Sequence, residues 1–227
     1  DAGAEGWDFD HVLPWFIKSE DQENGASDYH GTGGPLSVQN LLHSNPLSGH
    51  FIEAATQAGF ERTDDFNGPR QRGFDYYQVT QKNGRRCSSA VAYLRPALSR
   101  SNLEVSTHSL AERVRMEGDR ATGVMYNRKG KQKTAPGGQV ILAGGAINSP
   151  QLLMLSGIGP ADHLRDLAID VHHDLPGVGA NLHDHLFVPV RFHATKATGH
   201  TSTALHFLGG MLKDLVLRKG WFGKTFL

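Results

Sequence analysis

The chain has 227 residues, 38% of them apolar and 20% charged, enough for one large domain or two small ones. Its 23 Lys and Arg balance 23 Asp and Glu, which argues against nucleic acid as the main partner, because phosphate binding needs a net basic face. The single cysteine, Cys87, excludes an internal disulfide and points to a reducing compartment such as the cytoplasm.

Glycine is abundant, with 27 residues, which suggests many tight turns and close backbone approaches. No apolar run approaches the ~20 residues of a membrane span, and association with a membrane through a further segment stays open. The chain starts at Asp1 with no basic or apolar leader, and both ends read as cut, so it reads as the middle of a longer protein.

Residues 7–19 predict a helix capped by Asp8 or Asp10, with Val12, Leu13, Phe16 and Ile17 as its apolar stripe and Pro14 near the first turn. Residues 21–35 read as a loop. A second helix is expected over 46–58, opened by Asn45-Pro46 and closed by Gly59, with Leu47, Phe51, Ala54, Ala55 and Ala58 inward. Asn67-Gly68-Pro69 and Asn83-Gly84 are turn signals, and Phe74 to Val79 reads as a strand between them. Residues 88–98 look helical.

The period then changes. Asn102–Thr107, Leu110–Met116 and Thr122–Tyr126 read as strands, with Glu117-Gly118-Asp119 as a hairpin turn. Gln139–Leu142, apolar after its first residue, reads as a short strand of the kind found in a parallel sheet. A helix near 160–167, a strand near 169–173 with His172-His173 at its edge, and an amphipathic helix over 203–217 complete the expectation.

Gly144-Gly145 is the first stretch with chemical content. Two glycines after a strand let another backbone or a ligand come close. Ser149-Pro150 then reads as a helix N-cap and first helical residue. A helix N-terminus offers free N–H groups and a positive dipole end to a phosphate or a flavin edge, although a plain strand–helix junction fits the same residues. His183-Asp184-His185 has the spacing of two metal ligands, but no companion motif supports a metal. Asp184 serves equally as an N-cap. Thr80, Arg85, Arg86 and Ser88 read either as a substrate-side lining or as ordinary surface groups, and Cys87 as a buried structural thiol. No Gly-x-Ser-x-Gly occurs, so a serine hydrolase has no nucleophile here.

Gly145-Ala146-Ile147-Asn148-Ser149-Pro150-Gln151-Leu152-Leu153-Met154-Leu155-Ser156-Gly157-Ile158-Gly159 resembles the second signature of the glucose–methanol–choline oxidoreductases. Leu13-Pro14-Trp15-Phe16, Gly33-Gly34-Pro35-Leu36, Gln78–Ala90 and Leu175–His185 are similar to further elements of that family in the same order. Gln78–Ala90 resembles the choline and alkanol dehydrogenase branch.

The resemblance implies an α/β fold with α+β elements. Residues 99–186 would be the later part of a Rossmann-like FAD domain. Residues 1–98 and 187–227 would be the two parts of a substrate-binding domain built on an antiparallel sheet and helices. It implies FAD as cofactor, a small primary alcohol as substrate, and a quinone, another carrier or oxygen as electron acceptor. Gly144, Gly145, Ser149, Asn181 and Asp184 would lie beside the cofactor, and the backbone of Ala111 would touch its adenine.

The first Gly-x-Gly-x-x-Gly of the family is missing. Gly177-Val178-Gly179 comes nearest, with Leu182 at the sixth position. No residue here is assigned as the general base, so the piece is expected to be inactive alone. The alternative is a non-catalytic binding module that retains the fold.

Overall fold

The computed structural model describes residues 3–42 and 44–191. These fall into two compact units, one running to Leu103 and one spanning Glu104–Arg191.

In the first unit, α1 (Phe9–Ser19) starts where Asp8 caps it by accepting the His11 N–H at 3.1 Å. Pro14 lies inside the helix rather than in its first turn. Val12, Leu13 and Ile17 are half-buried, while Phe16 is exposed. The chain passes directly into β1 (Glu20–Gln22), which pairs in parallel with β2 (Leu36–Val38). A Cβ at Gly34 would stand 2.5 Å from the Glu20 carbonyl oxygen, and one at Gly31 would run into the Ile17 carbonyl. The predicted loop therefore hides a tight crossing that only glycine permits.

α2 (Pro46–Gln57) is capped by the Asn45 side chain, which accepts the Leu47 N–H at 2.9 Å. It ends at Gly59 with φ +88°. Its buried residues are Ile52 and Ala55, whereas Leu47 and Phe51 stay exposed, so the inward face is rotated from the expected one. Phe51 instead meets Phe74 at 5.8 Å between ring centres.

No strand forms over 74–79. That stretch makes only single bridges, Arg62 with Phe74 and Gln39 with Val79. The Asn83-Gly84 turn does form, at φ 53° and 72°, joining β3 (Gln81–Lys82) to β4 (Arg85–Arg86). The helical segment near 88–98 opens as a π-helix, Ala90–Leu94, and continues as α3 (Arg95–Ala97).

The second unit holds an antiparallel meander of β5 (Ser109–Glu117), β6 (Arg120–Arg128) and β7 (Lys131–Pro136). Gly118-Asp119 and Lys129-Gly130 make its turns, and β7 is exposed along its whole length. Asn102–Thr107 is not a strand; the Leu103 N–H closes a turn onto the Arg100 carbonyl. Gln139–Leu142 is not a strand either. Among the described residues nothing pairs with it, and Ile141 is 81% exposed. An apolar run becomes a strand only when neighbours satisfy its N–H and C=O groups.

α4 (Gly145–Leu155) follows, then β8 (Ile158–Gly159), α5 (Ala161–Asp166) and β9 (His173–Asp174), which pairs in parallel with β8. Only this short β9 replaces the strand expected at 169–173. Leu164 of α5 is fully buried. The helix expected over 203–217 lies outside the described residues. Among the described residues no helix is long and apolar enough to cross a membrane.

Candidate functional site

The second unit brings the glycine-rich signature into one local structure. Gly145 has φ +82°, a conformation that disfavours any residue with a Cβ, and α4 starts from it. Ser149 is not the N-cap. Its hydroxyl lies inside the helix and accepts the Gly144 N–H at 3.0 Å, and Pro150 sits within the helix behind it. The helix therefore begins earlier than the Ser-Pro signal suggests. Gly144, Gly145 and Ala146 are all exposed at its first turn, with no bulky side chain among them.

The close crossing lies at the other end of the helix. A Cβ at Gly157 would run into the Asp170 carbonyl and stand 2.7 Å from the His172 ring. The His172 N–H donates to the Gly157 carbonyl at 2.8 Å. A Cβ at Gly159 would stand 2.9 Å from Met154. Gly157 thus lets the Asp170–His172 segment lie against the end of α4, and Gly159 lets β8 lie close to Met154 of the same helix.

Ser156 holds α4 to the sheet and was not singled out by the sequence. It is 3% exposed. Its hydroxyl accepts the Val114 N–H of β5 at 2.8 Å and donates to the Leu152 carbonyl at 2.6 Å. Ala111 lies on the same strand, exposed and opposite Tyr126.

The Leu175–His185 element approaches the same helix. The Leu175 N–H donates to the Gly159 carbonyl, and the Asp174 carboxylate accepts the Ala161 N–H at 3.0 Å. A Cβ at Gly179 would be 3.5 Å from Met154 and 3.8 Å from Pro150. The loop therefore rests on α4 one residue from Ser149. Asn181 adopts φ +56°, and both Asn181 and Asp184 are exposed. Asp184 accepts only the adjacent His185 N–H, at 2.7 Å, and caps no helix.

The first unit contains a cavity of about 460 Å³. Phe9, Leu13 and Phe16 of α1 form one wall, Leu36 and Val38 of β2 another, and Phe66 and Gln71 a third. His30 and Glu20 reach its lining. His30 is 8% exposed and bridges two carboxylates: Nδ1 meets Glu20 Oε2 at 2.8 Å and Nε2 meets Asp65 Oδ2 at 2.9 Å. Burial opposes its charged form, but the hydrogen bonds to Glu20 and Asp65 outweigh burial and raise its pKa above the ordinary 6.5. The partners stand 10 and 35 residues away in sequence, which no local pattern reveals. Cys87, 3% exposed, packs with its thiol 3.9 Å from the Pro35 carbonyl.

Residues 1–187 match the GMC oxidoreductase family. The chain belongs to that family. Among similar GMC proteins, human mitochondrial choline dehydrogenase is 50% identical over 223 residues, which cover 98% of this chain and 37% of the human protein. The oxygen-dependent choline dehydrogenase of Rhizobium etli is 48% identical over 227 residues, covering 99% of this chain and 41% of its own length.

Among solved structures, an FAD-dependent oxidoreductase from Chaetomium thermophilum superposes with a TM-score of 0.83 at 25% identity, covering 98% of this chain and 42% of that one. Pyridoxine 4-oxidase from Mesorbium loti superposes with a TM-score of 0.69 at 33% identity, covering 75% and 34%. The chain therefore spans about two fifths of the curated relatives it matches.

Proposed function

We propose that this chain is part of an FAD-dependent enzyme that oxidises a primary alcohol to an aldehyde, with choline-type alcohols as its first candidate substrates. The observation that carries the reading is the segment from Gly144 to Gly159, a helix whose first two residues, Gly145 and Ala146, carry no bulky side chain. Apart from its chain neighbours and the adjoining helix backbone, no described atom lies within 4 Å of the place a Gly145 Cβ would take. That open space at a helix N-terminus fits a polar or anionic cofactor edge.

On this reading the first turn of α4 donates N–H groups to FAD, and Ser149 holds that turn by accepting the Gly144 N–H. Asn181 and Asp184 stand on the loop that α4 supports, and Ala111 offers its backbone to the adenine. FAD, when bound, supplies the acceptor for the hydride at its N5. None of the described residues is assigned the proton-accepting role. Residues 99–186 would serve the cofactor, and residues 1–98 and 187–227 the substrate. A quinone, another carrier or oxygen would take the electrons, and the balanced charge of the chain favours no nucleic-acid partner.

The test is made on the full-length protein. Anaerobic addition of choline, an alkanol and an aromatic alcohol should bleach a bound flavin with at least one of them and yield the aldehyde. A purified protein that holds flavin, with none of the three reducing it, would remove the alcohol reading. A folded protein with no flavin would favour a non-catalytic module.

A further inference from the structure

The wall of the first unit's cavity that carries Phe66, Asn67, Gly68 and Gln71 is a loop folded mostly on itself. The Thr63 hydroxyl lies 3.1 Å from both the Asp65 and Arg70 carbonyls. The Asp65 carboxylate accepts the Asn67 N–H at 2.9 Å, and a Cβ on Gly68 would stand 2.7 Å from that carboxylate. Across the cavity, the loop is tied to the β1–β2 side by Asp65 and His30.

We propose that the Glu20–His30–Asp65 bridge is a proton-operated latch, in which imidazolium His30 holds the Asp65–Gln71 loop against the cavity and neutral His30 lets it go. A carboxylate can only accept, so two carboxylates at 2.8 and 2.9 Å require a hydrogen on both ring nitrogens. Removing one proton leaves one carboxylate facing a lone pair.

The two sides are unequal. Glu20 also accepts from the Gln22 amide at 3.1 Å and the Gly31 N–H at 3.3 Å. Its side chain is 15% exposed against 37% for Asp65. Asp65 is the partner that water can solvate, so the loop side opens while the Glu20 side keeps the remaining proton. The charged groups facing the ring are Glu20 from β1 and Asp65 from the loop. The neighbouring Gln22 is neutral: its amide nitrogen stands 3.3 Å from His30 Nδ1, farther than Glu20 at 2.8 Å, and it exchanges hydrogen bonds with Gln78. All three members satisfy one another, which suits a closure rather than a ligand-binding set.

The pKa of His30 is raised on folding. The latch is therefore complete below the ordinary value of 6.5 and is lost as pH rises through the higher folded value. This inference does not depend on the flavin chemistry.

Hydrogen exchange read by mass spectrometry on the full-length protein tests it. Exchange of the His30 ring Cε1 proton reports its titration, and amide exchange of the 63–74 segment, corrected for intrinsic rates, reports the loop. His30 should titrate above 6.5. Loop exchange should rise several-fold through the same midpoint, while β5 and β6 stay flat. Asp65→Asn should lower the His30 midpoint and flatten the loop profile, and His30→Gln should abolish its pH dependence. If His30→Gln fails to fold, the wild-type titration and Asp65→Asn decide. A His30 midpoint at or below 6.5, or a wild-type loop profile flat in pH, overturns the proposal.

Discussion

The Ser156 hydroxyl and the Val114 N–H meet at 2.8 Å in a buried setting, and that bond fastens the end of α4 to the edge of the three-stranded sheet. Removing the hydroxyl strands a buried donor, which costs about 1–3 kcal/mol. Ser156→Ala should therefore lower stability by that amount in chemical denaturation. An unchanged midpoint would mean that water replaces the hydroxyl.

Gly145 and Gly157 both have positive φ, at +82° and +81°, but their surroundings differ. Ala at Gly145 meets nothing and bears only the left-handed backbone cost of about 1–2 kcal/mol. Ala at Gly157 adds a collision with the Asp170 carbonyl. Thermal melts should place Gly157→Ala well below Gly145→Ala; equal melting temperatures would show that the crossing yields freely.

Gly145→Val probes function through the same site. It should strip flavin from the full-length protein while the far-ultraviolet circular dichroism stays close to wild type. Full flavin occupancy, read from the absorbance ratio, would count against a cofactor at the first turn of α4.

Cys87 should be inert. Its side chain is buried and its N–H is bound to the Thr80 carbonyl at 2.9 Å. A thiol reagent should react with Cys87 only at the rate of opening, and reach full extent only in denaturant. Fast labelling in buffer would contradict that burial.

Asp75 and Arg62 form an ion pair at 2.7 Å. Burial of Asp75 works against its charge, but the bonds from Arg62 and the Tyr76 N–H prevail and hold its pKa below 3.8. The stabilisation is present above 3.8 and lost as pH falls through the lower folded value. Arg62 is exposed, so solvent screens the pair and its contribution is small. The stability gap between wild type and Asp75→Asn should close on acidification. A gap that widens would reverse the sign.

Legibility in the sequence followed the range of the interactions. Helices α1 and α2 announced their starts because Asp8 and Asn45 bond to N–H groups two or three residues on. Asn83-Gly84 and Gly118-Asp119 were equally local. Gln139–Leu142 misled because an apolar run says nothing about whether a partner strand lies beside it. Strand β7 was missed because its residues are polar and wholly exposed, so they show no alternation. Ser149 looked like a cap, but the glycine pair ahead of it had already begun the helix. The family signature was readable residue by residue, whereas His30 and Ser156 act across 35 and 42 positions and could be found only in space.

Strand β7 also sets the character of the sheet's outer border. Lys131 and Lys133 place charge along the sheet's outer border, and Pro136 ends it with a residue that has no N–H to offer. A second sheet seeking to continue the ladder there would meet repulsion and a missing donor. Among the described residues no further strand continues the ladder there, and the polar strand makes that border a poor template for one.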